Sequence, residues 1–156
     1  MSPEAPLAFL SVLFTGLLAG EEFIICYGVR APLAALDPQP SIQLRQALIR
    51  RLSILVPSLF GLASLAGLAV TFAGRRADAG GLPFIARCAG LACLGLFITV
   101  TMAGTAPINQ AALAWAPASP PDGWRRTIRR WEQLDNIRTW AAIAAFSLFV
   151  AALGMR

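Results

Sequence analysis

Glu21 and Glu22 are the residues of this sequence best placed to do chemistry, because they interrupt an otherwise uncharged run from Pro6 to Val29. An ionisable group inside an apolar span costs about 2.5–3.5 kcal/mol by insertion scales unless it is paired or wet. Partners at the same depth are therefore required. Helical rise puts the two carboxylates about 22 Å beyond Pro6, in the third of a bilayer that also receives Arg45, Arg50 and Arg51, Asn109, and Arg138 if the chain crosses four times. Adjacent helical residues diverge by about 100°, so at most one of Glu21 and Glu22 points directly at a bundle axis. A carboxylate facing Arg138 stays ionised, whereas one without a cation can accept or pass a proton. The chemistry within reach is proton abstraction by Glu21 or Asp135, with Arg138 and Asn109 stabilising a developing oxyanion.

Other chemistries are excluded by composition. The chain has no histidine, which removes a His-ligated zinc or haem site and a Ser-His-Asp triad. Glu132 and Asp135 have the i, i+3 spacing of carboxylate di-metal bundles, yet such a site would be all oxygen, and Glu132 falls between the apolar and basic faces of its helix. No metal and no cofactor is expected. Cys26, Cys88 and Cys93 form no Cys-x-x-Cys pair and lie in apolar stretches, where a thiol packs as a small hydrophobe. The net charge of +5 is carried by arginine alone. These arginines flank apolar runs, so lipid headgroups are the nearer anions and no nucleic acid partner is expected.

The elements that position these residues follow from hydropathy. With 57% hydrophobic residues, 13% charged residues and a mean hydropathy of +0.66, the chain lies outside the range of soluble domains. One membrane domain over 1–156 is predicted, an all-α four-helix transmembrane bundle with spans near 6–29, 52–74, 82–106 and 139–155. Met1 to Ala5 lacks a basic n-region, so the first span reads as retained. Pro107 is expected to end the third helix. Small residues at i, i+4 (Gly16 and Gly20, Ala63 and Gly67, Ala86 and Gly90, Ala141 and Ala145) predict close helix packing.

Residues 122–138 predict an interfacial amphipathic helix before the fourth span, with Asp122 as its N-cap. Trp124, Ile128 and Trp131 share one face, opposite Arg125, Arg126, Arg129 and Arg130. Continued without a break, the same wheel turns Asp135 and Arg138 into the bundle. Nine arginines (30, 45, 50, 51, 125, 126, 129, 130, 138) fall on the long-connection side and four (75, 76, 87, 156) on the terminal side. The positive-inside rule then leaves both termini outside the cytoplasm, in what reads as a bacterial inner membrane. Tyr27 and the four tryptophans gather on the long-connection side as an aromatic belt.

With these residues in place, the chain resembles the anthrone-oxygenase-like family of small four-helix membrane proteins, in bacteria largely a domain of unknown function. The likeness is carried by Gly20-Glu21-Glu22, by Pro107-Ile108-Asn109, and by Arg130-Trp131-Glu132 followed by Arg138-Thr139. It implies oxidation of polycyclic anthrones to anthraquinones without an evident metal or flavin. Where relatives often carry a histidine before the closing Arg-Thr, this chain has Asp135, so the activity would here rely on a carboxylate. The expected catalytic residues are Glu21, Asp135 and Arg138; Glu22, Asn109, Trp131 and Arg50 are expected to contact substrate. Membrane lipid, a small aromatic ligand and a second copy of the chain are the expected partners. The alternative is a non-enzymatic module, a partner subunit or a lipid or small-molecule binder, whose charged cluster serves structure. A channel is disfavoured, since four short helices leave little room for a lumen.

Overall fold

In hydrocarbon a backbone must satisfy its own polar groups, and helix is the only way an isolated apolar segment can do so. The computed structural model, which describes residues 4–75 and 80–155, is accordingly a four-helix transmembrane bundle. Arg76 and Arg156, counted above on the terminal side, lie outside the described residues.

The first span comprises α1 (Glu4–Ile24), a π-helical turn (Ile25–Val29) and α2 (Arg30–Ala34). The second is the single long helix α3 (Pro38–Gly74). The third comprises α4 (Leu82–Val100), a second π-helical turn (Thr101–Thr105) and α5 (Ala106–Leu113), and the fourth is α6 (Trp124–Gly154). All four are long and apolar enough to cross a membrane. Each runs past its apolar limit on the long-connection side, because the backbone stays helical where its side chains change from lipid-facing to charged.

Two local expectations are corrected. Pro107 does not end the third helix; it follows the second π-helical turn, and the chain continues to Leu113. Pro32 stands in the same relation to the first π-helical turn. A proline has no N–H to donate and its ring presses on the carbonyl four residues back, here Gly28 and Ala103, which both lie inside the wide turns. Local widening absorbs that conflict without breaking the helix. At the fourth span, Gly123 rather than Asp122 is the N-cap, in a left-handed conformation at φ 77° that glycine adopts freely. The amphipathic stretch and the fourth span are one uninterrupted helix, and its wheel holds: Ile128 and Asp135 are buried, while Arg125, Arg126, Arg129 and Arg130 are exposed.

Away from the long connections the bundle is dry and close-packed. Phe149 of α6 fills the space opposite two glycines: a Cβ on Gly67 would lie 2.8 Å from its ring and one on Gly90 3.0 Å. Gly16 faces Phe146 in the same way at 3.0 Å, whereas Gly20 faces nothing within 4 Å. The small residues thus admit aromatic rings between helices, and half of the Gly16/Gly20 pair takes no part. Phe60 of α3 and Phe97 of α4 stack at 5.6 Å, and above that layer the packing opens.

Candidate functional site

A cavity of about 400 Å³ lies between the helices at the long-connection end, within the roughly 300–1,000 Å³ range of small-molecule sites. Both π-helical turns contribute to its wall, through Ile25 and Val29 on one side and Thr101 and Met102 on the other, and α3 adds Leu52, Val56 and Pro57. Two helices therefore have a π-helical stretch at this level, and α3 carries Pro57 within an unbroken helix. Re-phased helices cannot keep tight interdigitation there, and this accounts for the void.

The floor of the cavity is ionic. Three carboxylates (Glu21, Glu22, Asp135) and three guanidinium groups (Arg30, Arg45, Arg138) line it. Arg138 is the hub: it donates to Glu22 Oε1 through Nη2 and to Thr105 Oγ1 at 3.1 Å through Nη1. The same Nη1 stands 3.7 Å from Asp135 Oδ1, and the guanidinium lies 4.8 Å from the Phe97 ring centroid. Asp135 is shared, since its other oxygen accepts from Arg30, whose Nη1 donates to Asn136 Oδ1 at 2.6 Å. Glu22, Asp135 and Arg138 are all buried. Ions so placed are held by one another, and removal of one partner strands the rest.

Glu21 differs. It is half-buried, it lines the cavity, and among the described residues it forms no ion pair within 4.0 Å. Its Oε2 is buried without a hydrogen-bond donor. Both glutamates reach the cavity and each keeps a buried oxygen without a donor, but Glu22 turns its other oxygen to Arg138 while Glu21 forms no ion pair among the described residues, in keeping with their divergence of about 100° on α1.

Trp131 lies beneath two guanidinium groups, with Arg30 5.6 Å and Arg45 5.3 Å from its ring centroid, and its indole N–H is buried without an acceptor. It has turned inward from the expected belt, whereas Tyr27 and Trp140 stay exposed. Asn109 lines the cavity from α5. Arg50 does not: it is exposed and absent from the wall, and Arg45 occupies the place expected for it. Five residues turn a helix by about 500°, so Arg45 and Arg50 point some 140° apart. Arg30 was not foreseen as a site residue, because the apolar count stops at Val29 and a loop is read from there. Its signal was the Gly28 and Pro32 pair, which marks a bent helix rather than an ended one. Gln46 was also missed; it donates to the carbonyls of Ala112 and Trp115, at 2.9 Å each, and ties α3 to the end of α5.

The arrangement presents an apolar-walled chamber, two adjacent carboxylates that each keep a buried oxygen without a hydrogen-bond donor, of which only Glu21 lacks an ion pair among the described residues, and a dense cationic neighbourhood. Among the described residues no three Cys, Asp or Glu side chains converge as metal ligands. No curated protein and no solved structure was found to match the chain. A family model described as Anthrone oxygenase matches residues 46–148. That stretch takes in the third span and most of the second and fourth, with Asn109, Trp131, Asp135 and Arg138, and leaves Glu21, Glu22 and Arg30 to the unmatched first span. The match covers more than half of the sequence, and the chain belongs to the anthrone oxygenase family.

Proposed function

We propose that this protein oxygenates a planar aromatic ketone bearing an acidic CH₂ group, of the anthrone class, with Glu21 as the base. The observation that carries this reading is that Glu21, alone among the three cavity carboxylates, forms no ion pair among the described residues, at the wall of an apolar cavity beside Arg138 that already holds the other two. Glu21 takes a proton from the CH₂ carbon and leaves a carbanion delocalised onto the ketone oxygen. Asn109 and the guanidinium cluster stabilise that oxygen. Molecular oxygen accepts electrons from the carbanion and a C–O bond forms; Glu21 returns its proton to the resulting peroxide. Removal of the second proton from the same carbon then breaks the O–O bond, and the departing hydroxide leaves as water. The balance is one anthrone and one O₂ to one anthraquinone and one water.

Asp135, paired with both Arg30 and Arg138, is on this reading a positioning residue rather than the base. The excess of arginine on the long-connection side supports an inner-membrane placement with that side cytoplasmic and both termini outside.

Purified protein in detergent should consume oxygen and form the quinone when given anthrone. Glu21→Gln should lose that activity while keeping its helicity and melting temperature. Unchanged turnover in this variant would refute the assignment of the base. The mutual pairing of Glu22, Asp135 and Arg138 favours a second reading, a binding module with a structural cluster. Anthrone binding with no oxygen uptake in the native chain would select it.

A further inference from the structure

The cavity wall is exposed at four residues, Ser53 and Pro57 on α3 and Met102 and Gln110 on the third span. Every lining residue from the first and fourth spans is buried or half-buried. The mouth therefore lies in the seam between the second and third spans. Two contacts frame it. The Phe60–Phe97 stack closes the seam on the side of the dry core, and Gln46, held to the carbonyls of Ala112 and Trp115, closes it on the side of the long connections. Between these latches α3 rises through 14 residue steps, from Gln46 to Phe60, or about 21 Å of helix.

The depth of that window fixes what it faces. Ser53 and Pro57 fall in the first two turns of the charge-free stretch that begins at Leu52, and Met102 lies within the apolar part of the third span. Their neighbours on the outer surface are apolar and open, with Ile54 73% and Leu96 49% exposed. Only Gln110 reaches toward the headgroups. A window at this level opens sideways into the outer part of the hydrocarbon and not into water.

We infer that the cavity takes its ligand from the bilayer, through this lateral window, and that the ligand is a membrane-dissolved planar aromatic molecule carrying its polar end near the headgroups. The ligand class rests on the function proposed above; the route does not. A planar molecule can pass edge-on between two helices that a bulkier lipid tail pair cannot part. Its acidic carbon then arrives on the Glu21 side of the cavity, across from the window.

Two measurements test the route separately from the chemistry. In a chain with Cys26, Cys88 and Cys93 changed to Ser, Met102→Cys is labelled with bimane and reconstituted in phosphatidylcholine vesicles. Phosphatidylcholine spin-labelled near the top of its acyl chain should quench the label strongly, and aqueous iodide at least about fivefold more weakly; the reverse order would overturn the inference. The second measurement mixes anthrone-loaded phosphatidylcholine vesicles with vesicles holding the native chain and follows quenching of tryptophan fluorescence. Ser53→Trp combined with Gln110→Trp should slow that association about tenfold and leave the final extent of quenching nearly the same. An unchanged rate in the correctly folded variant would overturn the route. Slowed association without oxygen consumption in the native chain would instead support the route and overturn the catalytic reading alone.

Discussion

The two ends of this bundle are built from the same four helices and solve opposite problems. At the end near Phe149, glycines at positions 67 and 90 let one ring sit between three helices, and among the described residues Arg87 is the one charged side chain buried at that end. At the other end, π-helical turns precede the prolines at positions 32 and 107, a void opens, and six ionisable side chains line it. Packing holds the first end and mutual charge pairing the second. The difference teaches that a small membrane bundle can afford an open polar chamber because a dry half, only a few turns away, fixes the helices.

The comparison breaks first at Glu21. If the chamber is a reaction site, Glu21→Gln should reduce turnover by about 10²–10⁴-fold, the usual contribution of a positioned base. Oxygen-electrode rates beside a thermal melt check this, since Glu21 makes no ion pair whose loss would unfold the protein. Next in size, Arg138→Gln should destabilise the bundle by about 3–5 kcal/mol, because Glu22 and Asp135 then lose a shared cation inside the protein. Denaturant titration in detergent measures it, and a loss below about 1 kcal/mol would remove the charge-pairing half of the contrast.

The dry half is sharpened by glycine substitutions. Gly67→Ala should cost about 1–3 kcal/mol, because its new methyl group would meet the buried Phe149 ring and Leu91. Gly20→Ala, with open space around it, should be neutral or gain a few tenths of a kcal/mol. Equal effects at both sites, read by melting temperature, would show that the i, i+4 spacing and not the ring contact matters. Smallest of all, Arg50→Gln should change stability by less than about 0.5 kcal/mol and leave turnover alone, whereas Arg45→Gln should raise KM for anthrone.

Depth was legible in the sequence and direction only partly so. Counting residues from Pro6 placed Glu21 and Glu22 at the level of Arg138, and the wheel through residues 124–138 turned Asp135 and Arg138 inward, because both inferences need only the rise and twist of a continuous helix. Arg50 was misplaced for a related reason. The second helix was counted from Leu52, so Arg45 and Arg50 were treated as one cationic region before it instead of as opposite faces within it. Arg30 was lost at a hydropathy boundary that the backbone ignores. The void itself leaves no residue pattern of its own; it lies where phase changes on two helices coincide, and each phase change is marked only by a proline with a glycine near the carbonyl it crowds. The chain's acyl-like surface, by contrast, was plain from composition alone.

The equal numbers of carboxylates and guanidinium groups around the chamber have a consequence for what can happen inside it. At formal charges the site carries no net charge, so a neutral guest enters without adding to or meeting an uncompensated one. Once Glu21 has accepted a proton, the surroundings carry one surplus positive charge and the guest one negative. The anion is thus created together with its counter-ion, in a medium of low polarisability, and the sum stays at zero through each step. Turnover of this kind displaces no net charge along the membrane normal beyond the cluster itself, and a voltage imposed on sealed vesicles should leave its rate unaltered.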